Sequence, residues 1–210
     1  MLEELEEKYK KMQNKYGDKS LDSIMFGGCK KSPDICFVFM NPTGRNITSS
    51  KEWKGMKAPW IGTKNIWSLF HELDIISDEL YAEIKSKKGK EWTESFAEKV
   101  YQEVEENKVY ITNLAKCTQI DARPLKDEVF KKYLNLFWKE MKIVKPKKII
   151  LFGNQVSSIV LNQKISVSET RKKTFPYKGF TFYPVYYPVG NGFFNIEKAI
   201  EDIKYIRNEE

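Results

Sequence analysis

Ile35-Cys36-Phe37-Val38-Phe39-Met40 is an unbroken apolar run, bounded by Pro33 on one side and Asn41-Pro42 on the other. A strand half-exposed to water alternates apolar and polar residues; a run with no alternation suits a central strand covered on both faces. Working outward, Val109-Tyr110-Ile111-Thr112, Ile149-Ile150-Leu151-Phe152 and Phe180 to Tyr186 read as three more strands. Helical patterns separate them. Leu2, Leu5, Tyr9, Met12 and Tyr16 mark an amphipathic N-terminal helix over about 1–16, ending near Gly17. Ile66, Trp67, Phe70 and Leu73 mark a second helix, which Thr63 is placed to cap, and Trp92 to Val104 reads as a third, after a basic loop from Lys85 to Lys90. Val129, Tyr133, Leu136, Phe137, Met141 and Val144 lie on one helical face, stopped by Pro146; helices over Gln155 to Leu161 and Ile196 to Ile206 complete the series. Strands separated by helices imply an α/β fold, a three-layer α/β/α sandwich around a central four-stranded parallel sheet.

The chain has 210 residues, 41% of them hydrophobic and 14% aromatic, enough for one substantial core, so a single domain over 1–210 is expected. No apolar run is long enough to span a bilayer, and Glu3, Glu4, Glu6 and Glu7 are unlike a signal peptide, so a cytoplasmic protein with no membrane partner is expected. Cys29, Cys36 and Cys117 contain no CxxC pair and read as ordinary reduced thiols. The net charge of +7 matches the footprint of a phosphate-backbone binder, a trait that Lys-rich proteins of other kinds share.

In an open parallel sheet, ligands bind beyond the carboxyl ends of the strands. The loops that matter therefore begin at Asn41, Asn113, Gly153 and Tyr187. Met40-Asn41-Pro42-Thr43-Gly44 resembles the first motif of the uracil-DNA glycosylase superfamily, in the Asn-Pro form of its single-strand-selective and mismatch-specific branches. Val109 to Cys117, then Arg123-Pro124, Glu128, Tyr133-Leu134, Lys145-Pro146-Lys147 and Ile149 to Gly153, resemble in order the iron-sulfur branch of the same superfamily. Ala58-Pro59-Trp60-Ile61-Gly62 falls where that branch has an aromatic beside a Gly-containing turn, and Tyr187-Pro188-Val189-Gly190-Asn191 takes the place of the second motif, commonly His-Pro-Ser. Two departures stand out. The second-motif histidine is Tyr187, the chain's one histidine being His71 on a helix, and only Cys117 matches a cluster cysteine. No iron-sulfur cluster, other metal or cofactor is therefore expected.

The resemblance implies a monofunctional DNA glycosylase, acting as a monomer on double-stranded DNA, that flips a deaminated or modified base and hydrolyses its N-glycosidic bond. It makes Asn41 the residue that orients the attacking water, Tyr187 a hydrogen-bond donor in the histidine's place, and Met40, Trp60 and Asn113 the base-binding set. Backbone N–H groups over 42–46 are a further source of donors for the departing base. Asn113 presents a donor and an acceptor, suited to the O4 and N3–H edge of uracil or, flipped, to the amino edge of cytosine. DNA contacts are expected from Thr43, Arg45, Lys64, Lys116 and Arg123 and from the loop carrying Val189, Gly190, Asn191 and Phe193, with Phe193 or Phe194 as the wedge that fills the gap in the stack. Each has a plainer reading too: Asn41 as a turn residue, Asn113 as a strand-end cap, Trp60 and Tyr187 as packing, His71 as a surface residue. Two other functions stay open, a glycosylase for a bulky modified pyrimidine of phage DNA in anti-phage defence and a cleavage-deficient DNA-binding relative.

Overall fold

The computed structural model describes residues 2–122 and 125–209. The expected strands are present as β2 (Ile35–Phe39), β3 (Val109–Asn113), β4 (Lys148–Phe152) and β6 (Phe180–Val185), parallel and in the order β3-β2-β4-β6. Their side chains alternate between two apolar layers. Phe37, Phe39, Ile111, Ile150 and Phe152 enter one, Cys36, Val38, Tyr110, Ile149 and Leu151 the other, which is why the run at 35–40 shows no polar alternation.

The first layer is closed by α2 (Asn65–Glu72), α3 (Asp78–Ser86), α4 (Glu94–Glu106) and α8 (Ile196–Asn208). The second is closed by α1 (Leu2–Tyr16), α5 (Asp127–Val144) and α6 (Asn154–Leu161), while the short α7 (Val167–Thr170) packs beside β6. Two local readings need correction, and one helix, α3, is an addition. Thr63 does not cap α2, because its hydroxyl donates to the Trp60 carbonyl at 2.6 Å and the helix starts at Asn65. The basic segment at 85–90 is not all loop: Lys85 and Ser86 end α3, and Gly89–Glu91 forms a 3-10 turn. Helix α3 had a readable start, since the Ser77 side chain accepts from Leu80 N–H at 3.3 Å ahead of Asp78 and Glu79.

The sheet has six strands rather than four, the two additions being antiparallel edges three residues long. At one edge β5 (Phe175–Tyr177) joins β6 through a two-residue turn in which Lys178 and Gly179 both have positive φ, 49° and 81°, the primed geometry that follows strand twist. Pro176 is tolerated there because an edge strand needs no outward donor. At the other edge β1 (Phe26–Gly28) pairs with β3 and lies under α4. A Cβ on Gly27 would stand 2.1 Å from the Tyr101 ring, whose hydroxyl donates to the Pro59 carbonyl at 2.6 Å. Gly27→Ala must therefore displace Tyr101, and urea denaturation should show a loss of about 1–3 kcal/mol. Tyr101→Phe, which removes only the hydrogen bond, should cost about 1 kcal/mol.

Candidate functional site

Register puts two asparagines side by side at the carboxyl end of the sheet. Phe39 pairs with Asn113 across β2 and β3, so the chain leaves both strands at one level, at Met40-Asn41 and at Asn113-Leu114. The two loops stay zipped beyond the strands: Leu114 N–H donates to Phe39 O at 2.8 Å, Gln119 N–H to Pro42 O at 3.1 Å and Gly44 N–H to Gln119 O at 2.8 Å. A third segment is pinned to the same loop. The Asn46 amide donates to Ala58 O at 3.1 Å while its oxygen accepts from Thr48 N–H and hydroxyl, and Ile47 N–H donates to Ile61 O at 3.1 Å. Asn46 is 4% exposed and went unnoticed in the sequence, although Asn-x-Thr is a recognisable side-chain turn.

These segments enclose a cavity of about 600 Å³, within the range of small-ligand sites. Met40, Asn41, Thr43, Arg45, Trp60, Lys64, Asn113, Tyr187, Val189, Gly190 and Asn191 line it, so eleven of the fourteen side chains expected at the site converge. Phe193 is outside the lining, on the 3-10 turn Gly190–Asn195 that forms one rim, where Phe194 is 91% exposed against 48% for Phe193. Phe194 is thus the more prominent apolar side chain of that rim. Arg123 lies outside the described residues. The fourteenth, Lys116, is a correction: it is 0% exposed and its three hydrogens are all committed inside the protein, so no phosphate reaches it. Of the backbone donors expected over 42–46, Gly44 and Asn46 are also already used, the latter on Thr43 O at 3.0 Å.

The aromatic wall is built from the core outward. Phe37 stacks on Phe152 at 5.7 Å, Phe152 on Phe39 at 4.4 Å, and the Phe39 ring meets Trp60 at 4.9 Å and Tyr187 at 6.2 Å, both edge-on. Pairs of this kind contribute about 0.5–1.5 kcal/mol beyond burial. Trp60 is held with φ of 68°, uncommon for a side chain of that bulk, by three hydrogen bonds to its carbonyl from Thr63 N–H, the Thr63 hydroxyl and the Trp67 indole. Tyr187 is fixed by the rim turn folding back on it, for a Cβ on Gly192 would stand 2.0 Å from the Tyr187 carbonyl. Burial pushes the Tyr187 hydroxyl well above the ordinary tyrosine value.

Two polar atoms are conspicuous. The Asn113 Nδ2 and Trp60 Nε1 hydrogens are buried without a hydrogen-bond partner, on residues that both line the cavity. An unpaired buried donor costs about 1–3 kcal/mol, which a ligand carrying an acceptor would recover. Asn41 is engaged through its amide nitrogen, which donates to the Pro42 carbonyl at 3.2 Å. None of the described lining residues is acidic, and Arg45 and Lys64 carry its positive charge. His71 is elsewhere, bonded to Asp78 at 2.7 Å and stacked on Tyr81 at 4.3 Å.

The cysteines do not suit a metal cluster. Cys29 Sγ contacts the Lys31 carbonyl, Cys36 Sγ the Met141 sulfur, and Cys117 sits beside Gln119, while burial raises the Cys36 and Cys117 thiols away from the thiolate form a cluster needs. Among the described residues no three Cys, His, Asp or Glu side chains gather as metal ligands.

Four parallel strands of a mixed sheet carry at their carboxyl end a basic, aromatic-walled cavity lined by the Asn-Pro turn and by a second asparagine, which defines an α/β protein with a ligand site at its strand ends. Residues 26–198 match the family model described as the Uracil DNA glycosylase superfamily, and the chain belongs to that superfamily. A DNA-glycosylase-like function follows in general terms, and no helix among the described residues is long and apolar enough to cross a membrane.

Behind Asn113 lies the network that claims Lys116. Its ammonium donates to Thr112 Oγ1 at 2.5 Å, Asn113 O at 2.6 Å and the Glu140 carboxylate at 2.9 Å, and Glu140 also accepts from Tyr9 at 2.7 Å, Thr112 at 2.6 Å and Tyr110 at 3.1 Å. Burial draws the Lys116 ammonium below its ordinary value, with Glu140 opposing that shift. Lys116→Met alone strands a buried carboxylate and should cost about 3–5 kcal/mol in chemical denaturation, whereas pairing it with Glu140→Gln should restore most of that loss.

Proposed function

We propose that this protein is a monofunctional glycosylase that acts as a monomer on double-stranded DNA, extrudes a deaminated or modified base into the cavity at the carboxyl end of β2 and β3, and hydrolyses its N-glycosidic bond. The observation that carries the reading is the buried, unpartnered Asn113 Nδ2 on a cavity-lining residue, a donor waiting for a carbonyl such as O4 of uracil. Trp60 and Met40 sandwich or edge the base, and the extruded nucleotide's flanks are held by Thr43, Arg45 and Lys64, with Arg123 as a further contact. Val189, Gly190 and Asn191 carry the rim against the duplex, and Phe193 or the more exposed Phe194 fills the gap in the stack.

Cleavage of the bond leaves an oxocarbenium-like sugar and negative charge on the departing base. With no acidic side chain among the described lining residues, positioning and electrostatics are the means left to the site. One Asn41 amide hydrogen is on the Pro42 carbonyl, a bond that orients the side chain, and the amide oxygen accepts a hydrogen from the attacking water. Tyr187 donates to the leaving base. Its raised pKa keeps it protonated at all physiological pH, so its donor capacity is constant below that pKa and is lost only as pH rises through it.

A panel of duplexes carrying single uracil, hypoxanthine, mismatched thymine or 5-substituted pyrimidine sites, assayed for abasic products, tests the activity directly; binding without cleavage of any of them would leave a DNA-binding relative instead. Tyr187 favours a second reading, a larger modified pyrimidine as substrate, because it changes the wall where a histidine is usual. Tyr187→His separates the two: it should raise cleavage of plain uracil if the tyrosine is a substitute donor, and lower cleavage of the larger base if the tyrosine shapes the wall. Asn41→Ala should slow single-turnover cleavage by at least about 10²-fold with DNA affinity retained, and an undiminished rate would remove Asn41 from the mechanism. The rate profile should show no inflection between about pH 6 and 8, since no imidazole takes part, and Tyr187→Phe should lose rate at every pH in that window.

A further inference from the structure

We infer that the Lys116–Glu140 ion pair is a positioning device for base recognition: from the sheet face opposite the cavity, it fixes the strand end that carries Asn113. The inference rests on the base-reading role of Asn113 proposed above. Successive strand residues point to opposite faces, so Thr112 reaches the network while Asn113 reaches the cavity, and the peptide between Asn113 and Leu114 is shared by both. Lys116 grips that peptide at its carbonyl, 2.6 Å away, and β2 grips it at Leu114 N–H, 2.8 Å from Phe39 O. All three ammonium hydrogens have acceptors, and Glu140 collects four donors from three separate elements, α1, β3 and the loop after it. Neither charged side chain is exposed and neither borders the cavity.

Stability does not account for such an arrangement, since a buried ion pair is commonly no better than well-packed apolar residues of the same volume. What a fully satisfied network supplies is a single geometry. That matters most at a hydrogen-bonding donor that must meet one acceptor of an extruded base, where a misplacement of about 1 Å can cost about 10²-fold. An approach from the far face also leaves the cavity itself unobstructed.

The test compares wild type with Lys116→Met/Glu140→Gln, which removes both charges while keeping volume. Each is titrated with a duplex containing 2′-fluoro-2′-deoxyuridine, or the 2′-fluoro form of whichever base the panel shows to be excised, and with the same duplex lacking it. The variant should remain folded and bind the ordinary duplex as wild type does, while its preference for the modified duplex falls at least about tenfold. A second pair guards against loss of fold in the double variant: Thr112→Val, which removes one acceptor of the ammonium, should lower the preference, and Thr112→Ser, which restores the hydroxyl, should recover most of it. In the free protein the Asn113 side-chain amide resonances, identified by their absence in Asn113→Ala, should shift or broaden in the double variant and in Thr112→Val. A folded double variant, or Thr112→Val, with the wild-type preference and unmoved amide resonances overturns the positioning role alone. A wild type that prefers no modified duplex overturns the base-reading role of Asn113, and the positioning role with it.

Discussion

The parallel pairing of β2 with β3 is the constraint on which the site depends. Because Phe39 and Asn113 are partners in that ladder, Asn41 and Asn113 emerge beside each other, although more than seventy positions separate them in the chain. A shift of one residue would turn Asn113 toward the opposite face and bring Thr112 to the cavity. Burial opposes such a slip: every residue of the two strands except Thr112 and Asn113 packs into one of the two apolar layers, and Thr112 is bonded into the network on the far face.

The two layers do different work at the level of the cavity. On one side, rings pass contact from Phe37 through Phe152 and Phe39 to Trp60 and Tyr187, so the wall of the cavity is an extension of the core. On the other, α1 and α5 bring Tyr9 and Glu140 to Lys116 beneath the same strand ends. The first side reaches the cavity through aromatic rings; the second supports the same strand ends through the buried Lys116–Glu140 network.

The four parallel strands and most helices were legible because their signals are local: an unalternated run for a doubly covered strand, a 3.6-residue period for a helix against the sheet. The edges were not. Phe26–Gly28 and Phe175–Tyr177 are too short for a periodic signal, and Gly27 and Pro176 disfavour strand unless one knows that Tyr101 needs the space and that the edge needs no donor. At the site, residues next to the strand ends could be picked out from motif position, and most of them do line one cavity. Lys116 shows where that reasoning stops. A lysine in a basic chain reads as solvent-exposed unless its acceptors are known, and the decisive one, Glu140, lies 24 positions away on a helix whose pattern shows an ordinary charged residue. Asn46 was missed in another way: its bonds to Thr48 follow a local Asn-x-Thr turn, but its long-range partner, the Ala58 carbonyl, is a backbone group that no side-chain pattern advertises.

The placement of Tyr187 bears on how such a site changes over evolutionary time. It follows the end of β6, meets the Phe39 ring edge-on, packs against the first apolar layer and has the backbone of the Gly190–Asn195 turn close against its carbonyl. Tyr187 thus meets the β2 end at the Phe39 ring and takes no part in the buried polar network behind Asn113. On the reading proposed above, an exchange at position 187 alters the wall of the cavity while the β2–β3 register and the Lys116–Glu140 pair, which place Asn113, keep their own contacts.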